Sequence, residues 1–189
     1  MPRKPRITRD MVIEAAFEVA REEGYESINA RRVAERLGCS TQPVMYHFST
    51  MESLKREAYD KADAMHTEYL LNVPGDTDPM LAIGLNYIRF AVQEKNLFRF
   101  LFQSGRGEGK DILSMIDSED VYPVLIAIRE GLGTDINSAR DAFLMLALFV
   151  HGYACLIAFN DLAYDENTVA GHLEKAWEGA AAAAVKEEE

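Results

Sequence analysis

Residues 27–48, SINARRVAERLGCSTQPVMYHF, decide how the chain is read. The stretch has the pattern of two short helices joined by a tight turn. Asn29 is placed to cap the first, because its side chain can accept from the free amides of a first helical turn. Behind it, Val33, Ala34 and Leu37 fall at i, i+1 and i+4 and share one apolar face. Arg31, Arg32, Glu35 and Arg36 occupy the rest of that cylinder. Gly38 then ends the helix, since glycine takes the left-handed conformation without a Cβ clash. Ser40 is expected to cap the second helix, with Pro43 in its first turn, where an amide has no intrahelical acceptor.

In that second helix Val44 and Phe48 lie four residues apart and can anchor it on a core. At ~100° per residue, Gln42 and Tyr46 then point away from Val44. An outward face of Thr41, Gln42 and Tyr46 carries no charge, and glutamine and threonine can hydrogen-bond base edges in a major groove. Helix, glycine-containing turn and polar-faced helix describe a helix-turn-helix. An ordinary α-hairpin in a helical protein has the same outline, so the turn alone leaves both readings open.

The wider stretch 8–54 resembles the DNA-binding domain of the TetR family of bacterial transcriptional regulators. The resemblance rests on Thr8-Arg9, Ile13-Glu14-Ala15-Ala16, Gly24-Tyr25, Val33-Ala34-Glu35-Arg36-Leu37-Gly38, Ser40, His47-Phe48 and Leu54. Two positions depart from the family's pattern. Met45 stands where an aromatic residue is usual, and Met51 where a lysine often follows the phenylalanine; in the family both commonly touch phosphates. Tyr46 and Lys55 are nearby substitutes. The resemblance implies an all-α chain: a three-helix DNA-binding domain over residues 1–49, then a helical ligand-binding and dimerisation domain over residues 50–189. Its expected partners are double-stranded DNA bearing a palindromic operator, a small-molecule inducer and a second copy of the chain. The DNA-contacting candidates are Arg3, Lys4, Asn29, Ala30, Arg31, Ser40, Thr41, Gln42, Pro43, Met45, Tyr46, His47 and Lys55.

At 189 residues and 48% hydrophobic content, the chain can bury a substantial core. Its N-terminus, MPRKPRITRD, is basic and leads into an amphipathic helix rather than the apolar run of a secretory signal. Cys39 and Cys155 are far apart and form no disulfide framework or metal knuckle, which suits a reducing cytoplasm. A net charge of −11 argues globally against nucleic acid, but its distribution is uneven. Residues 1–50 hold eight Lys/Arg against seven Asp/Glu, a net of +1; residues 51–189 hold 12 against 24, a net of −12. Fields screen over roughly 8 Å in physiological salt, so the local balance governs phosphate binding. Arg3, Lys4, Arg6 and Arg9 make the first nine residues a candidate phosphate-binding arm, or equally a solubilising one.

Along the chain, Thr8 is expected to cap a first helix with an apolar stripe of Ile13, Ala16, Phe17 and Ala20, stopped by Gly24. A helix from about Thr50 to Leu71 carries Leu54, Ala58, Ala62, Met65 and Tyr69 on one side, before Pro74-Gly75 breaks it. Running out of the DNA-binding segment without a flexible linker, it could act as a lever. Further helices are expected at 79–94, 97–102, 117–132 with Pro123 near its start, 136–160 and 167–186. The loop 104–111 contains GRGEGK, but no strand precedes it and Asp111 follows the lysine where a phosphate loop needs serine or threonine. A mobile surface loop is the better reading.

Ala142–Phe159 is a run of 18 residues without a formal charge, a length that borders on a membrane span. His151 and Gly152 in its middle, and flanks without excess cations, favour a buried core helix and no membrane. Phe149-Val-His-Gly152 is similar to a His-Gly pair in one group of TetR-type C-terminal domains. The final helix holds Trp177 and a row of alanines that permits close helix approach. The family resemblance implies that the last two helices pair with their twofold mates. Candidate ligand contacts are Phe90, Phe98, Phe102, Met115, Tyr122, Phe149 and His151. His151 is the one strongly titratable group in the 142–159 run; it is either a satisfied core histidine or a polar group orienting an apolar ligand. His47, His66, His151 and His172 show no HExxH spacing, and no Gly-x-Ser-x-Gly elbow occurs. No metal, cofactor or catalytic role is therefore expected. The rival function is a helical ligand-binding protein without sequence-specific DNA activity.

Overall fold

The computed structural model describes residues 7–73, 78–105, 116, 119, 121–160 and 162–186. The regular elements among them are all helical: α1 (Arg9–Glu23), a 3-10 turn (Tyr25–Ser27), α2 (Ala30–Arg36), α3 (Thr41–His47) and α4 (Met51–Leu71) come first. They are followed by α5 (Pro79–Gln93), α6 (Lys95–Gln103), α7 (Tyr122–Leu132), α8 (Ile136–Asn160) and α9 (Glu166–Lys186). This is the expected all-α class. Arg3, Lys4, the Pro74-Gly75 break, Met115, Asp117 and residues 106–111 of the glycine-containing loop lie outside the described residues. The chain folds as two units, one of Met1–Glu68 with Glu94–Gly107, the other of Tyr69–Gln93 with Glu108–Glu189.

In the first unit, α1 starts where expected: the Thr8 side chain accepts from the Met11 amide at 3.3 Å. Gly24, at φ 89°, closes it by donating its amide to Ala20 O at 3.0 Å. The buried face is broader than the expected stripe and is rotated away from Ile13, which is only half-buried. It consists of Val12, Ala15, Ala16, Phe17, Val19 and Ala20. The reason is that α1 packs against α2, α3 and α6, so more than one narrow arc must be apolar. Helix α4 continues a four-residue step, Leu54, Ala58, Ala62, His66, so the buried position that a Met65 stripe assigned to methionine is held by an imidazole. The His66 ring meets Phe102 edge-on at 5.6 Å, and burial pushes its pKa down to about 4.

Helix α6 fills this unit with Leu97, Phe98, Phe100 and Leu101. Phe100 stacks on Tyr25 at 5.5 Å and meets Tyr59 edge-on at 5.6 Å. Asn96 donates to Arg21 O at 2.9 Å and Glu22 O at 3.2 Å, satisfying carbonyls that the end of α1 leaves free. Glu94 grips Arg21 through two hydrogen bonds, the one from Nε being 2.8 Å.

The second unit is built from α5, α7, α8 and α9. Asp135 opens α8 by accepting from the Asn137 and Ser138 amides at 2.6 and 3.1 Å. Asp165 opens α9 through the Thr168 amide at 2.9 Å. Hydrogen bonding to these charged carboxylates holds both below their ordinary pKa. Helix α7 begins at Tyr122 with Pro123 in its first turn and ends at Gly133, φ 67°. Ile88, Leu146, Val150, Ile157, Val169 and Leu173 form the core. Gly84 lets α5 approach closely: a Cβ there would lie 3.2 Å from Leu173 Cδ2 and 3.3 Å from Val150 Cγ2. Ala142, Ala180 and Ala184 form a second close contact, with Trp177 packed against it inside its own unit. Helix α8 is long and apolar enough to cross a membrane, and a core helix passes the same test. Its buried positions pack against α5, α7 and α9.

Candidate nucleic-acid interface

The turn between α2 and α3 is built as its residues suggest. Asn29 Oδ1 accepts from the Arg31 and Arg32 amides at 3.1 and 3.0 Å, and its Nδ2 donates to Ser27 O at 3.0 Å. Gly38 takes φ 62°, and the Cys39 amide donates to Ala34 O at 3.0 Å. Ser40 differs from expectation. It holds the N-cap position of α3 in extended backbone, but its hydroxyl makes no capping bond.

Val44 and Phe48 seat α3 on the core, with 0% and 3% of their surface exposed. Thr41, Gln42, Met45 and Tyr46 are exposed as a result, Tyr46 by 76% and Met45 by 44%. Pro43, Ala30 and Lys55 are half-buried. His47 is also half-buried: its Nε2 lies 3.0 Å from Ile7 O, and its ring meets Tyr46 edge-on at 5.1 Å. That bond ties the end of α3 to the segment just before α1, so His47 positions chain as well as facing outward.

The arginines of α2 are more heavily engaged than a charge count implies. Arg32 reaches Glu23 at 2.5 Å and Glu35 at 3.1 Å, while Arg36 reaches Glu22 at 2.5 Å. Arg31 pairs with Glu35 at 2.9 Å on an exposed flank. Hydrogen bonds from these arginines hold Glu22 and Glu35 below the usual carboxylate range. The Arg32–Glu23 and Arg36–Glu22 pairs join α2 to α1 across nine and fourteen residues, a separation that helical spacing alone cannot reveal. Arg9 pairs with Glu57 and lies over the Phe48 ring at 4.9 Å. Lys55 has only a 3.9 Å approach to Glu52. The candidate interface is thus an uncharged helix face of Thr41, Gln42, Met45 and Tyr46 beside cations that are largely matched within the fold.

The described candidate ligand residues are divided between the two units. Phe98 and Phe102 belong to the first unit, where they pack on each other at 4.6 Å. Phe90, Tyr122, Phe149 and His151 belong to the second. Phe90 is fully buried against Tyr69, whereas Tyr122 is 57% exposed. Helix α6 adds its aromatic face to the first core, and nothing in its sequence periodicity specifies which core it joins. His151 Nδ1 lies 2.8 Å from the Tyr87 hydroxyl of α5, and its Nε2 lies 3.4 Å from Cys155 Sγ. The imidazole therefore has the neighbouring-helix partner that a core histidine needs. Burial lowers its pKa and raises those of Tyr87 and Cys155.

Residues 12–58 match the family described as bacterial regulatory proteins, tetR family. No curated protein matches the chain by sequence. Among solved structures, a transcriptional regulator from Rhodococcus sp. Rha1 is 22% identical, with a TM-score of 0.62 over 96% of this chain and 97% of that one. A member of the TetR family from Streptomyces coelicolor A3 is 19% identical, with a TM-score of 0.56 over 89% and 96%. NalD, the secondary repressor of the MexAB-OprM multidrug efflux pump in Pseudomonas aeruginosa, is 15% identical, with a TM-score of 0.53 over 90% and 95%. These likenesses establish a shared fold. The family match covers the helix-turn-helix, so residues 12–58 are similar to the corresponding segment of the tetR family of bacterial regulatory proteins.

Proposed function

We propose that this regulator is a cytoplasmic repressor that binds a palindromic operator as a homodimer and leaves it when a small apolar or amphipathic inducer binds. The exposed, uncharged face of α3 carries the reading: Thr41 and Gln42 contact base edges, and Tyr46 and His47 place the helix on the backbone. Asn29, Ala30, Arg31, Ser40, Pro43, Met45, Lys55 and the arm with Arg3 and Lys4 complete the contact region. Repression is supported by the fold shared with NalD, a repressor.

In this reading residues 1–49 bind DNA and residues 50–189 serve ligand binding and dimerisation. Helix α4 is the lever, one continuous helix of 21 residues. An inducer releases DNA only if it binds the wrongly spaced dimer more tightly, a coupling of typically 1–3 kcal/mol. Selection from random duplexes tests the core of the proposal. A single enriched motif with twofold symmetry is expected, and enrichment of no sequence overturns it. Gln42→Ala should then cost about 1–3 kcal/mol of discrimination at one position in each half-site.

A further inference from the structure

We infer that Met45 is a specificity-determining residue that packs on the 5-methyl group of a thymine in each operator half-site; this rests on the operator reading above. The argument begins with position. At about 100° per residue, Thr41, Met45 and Gln42 fall near 0°, 40° and 100° around α3, while the buried Val44 and Phe48 fall near 300° and 340°. Met45 therefore projects between the two residues assigned to base edges, one turn further along the helix. Tyr46, near 140°, sits at the border of that arc.

Chemistry supplies the second step. Met45 is 44% exposed, a large unbranched apolar side chain on a face whose other members are polar. Surface methionine has an ordinary alternative in packing on neighbouring side chains, but here Phe48 and Val44 already close the core beneath the helix with 3% and 0% exposure. Placed against a major groove, a thioether has no donor for a phosphate and only a weak acceptor for a base edge. Facing a polar edge, it would strip water from that edge and return at most a weak hydrogen bond. The thymine methyl is the apolar feature that the major groove offers, and it identifies an A·T pair in one orientation. Three flexible torsions let methionine reach it from more than one helix placement.

The test uses the full chain and the motif enriched by selection. Each thymine of a half-site is replaced in turn by deoxyuridine, which removes the methyl and leaves every hydrogen-bonding group. Wild type should lose about fourfold in affinity per half-site at one position, the worth of a buried methyl. Met45→Ala should bind the thymine and deoxyuridine duplexes equally. Met45→Leu should restore part of the discrimination. Wild type indifferent to deoxyuridine at every position, or Met45→Ala as sensitive as wild type, overturns the assignment while leaving operator binding intact. Failure of wild type to select any motif overturns the operator reading and this inference together.

Discussion

The Tyr87 hydroxyl and His151 Nδ1 stand 2.8 Å apart, a side-chain hydrogen bond that joins α5 to α8 across 64 residues of sequence. Tyr87 and His151 share the helix pair that the core of the second unit is built around. A polar group that loses its partner pays a desolvation cost of about 1–3 kcal/mol when fully buried, and this part-buried pair falls at the low end of that range. Tyr87→Phe is expected to destabilise the protein by that amount. The double variant Tyr87→Phe/His151→Phe should cost less than the two single changes added together. Urea unfolding of the four proteins measures the coupling, and additivity within about 0.5 kcal/mol would show that the bond contributes nothing.

His66 predicts how stability responds to acid. Its folded pKa of about 4 lies below the 6.5 of an exposed histidine because burial disfavours the charged ring. The unfolded chain therefore binds more protons between these values, so stability is full above pH 6.5 and falls as the pH drops toward 4. The loss attributable to His66 is about 3 kcal/mol. His66→Gln should flatten this limb of the stability profile. Some slope will persist from His151, whose pKa is also lowered. The paired carboxylates of Glu22, Glu35, Asp135 and Asp165 titrate in a lower window, since their pKa values are depressed from already acidic starting points.

Gly84 marks where α5 approaches both α8 and α9. Gly84→Leu should destabilise by about 1–3 kcal/mol, because the contact has no room for a branched side chain. Gly84→Ala should cost far less. The flexible end of Leu173 can give by a few tenths of an ångström where the stiffer Val150 cannot, and the gain in helix propensity of about 1 kcal/mol works the other way. Thermal unfolding of the pair orders them; equal effects would mean that the helices do not pack as closely as these distances require.

Much of this was legible because local rules and tertiary structure agree. Asn29, Gly38, Val44 and Phe48 do in the fold what their types and spacing suggest. So do the boundaries of α8, where the apolar run is long. What escaped the sequence depends on contacts between distant elements. Ser40 looks like a cap but leaves its side chain out of the bond. His66 is buried by a neighbouring helix that its own periodicity does not announce. Phe98 and Phe102 pack on each other within the first unit, a partnership that their spacing alone does not specify. The α1–α2 ion pairs are long-range, so counting charges overstated what remains for phosphate.

The outward side of α8 predicts how copies of the chain associate. Met145, Leu148 and Leu156 are each about half exposed, and the exposed Gly152 stands between Leu148 and Leu156 on the same face. Among the described residues nothing lies within 4 Å of a Cβ placed at Gly152, so a partner's backbone could come close there. On α9, Gly179, Ala182 and Ala183 are likewise small and exposed. The buried alanines, Ala180 and Ala184, already serve the internal contact with Ala142, so the exposed ones are those left for a second copy. A twofold interface meets each residue twice, so one unfavourable charge is introduced on both sides at once. Leu148→Glu and Leu156→Glu should each convert a dimer into a 21.2 kDa monomer at micromolar concentration while retaining the helical signal in circular dichroism. Operator affinity should fall at least tenfold, since two linked recognition helices gain from effective concentration what a single one cannot. Gly152→Leu should weaken association in the same direction without adding charge. Light scattering and gel shifts on the same samples decide the matter: a wild-type monomer even on DNA, or glutamate variants that remain dimeric, would place the interface elsewhere.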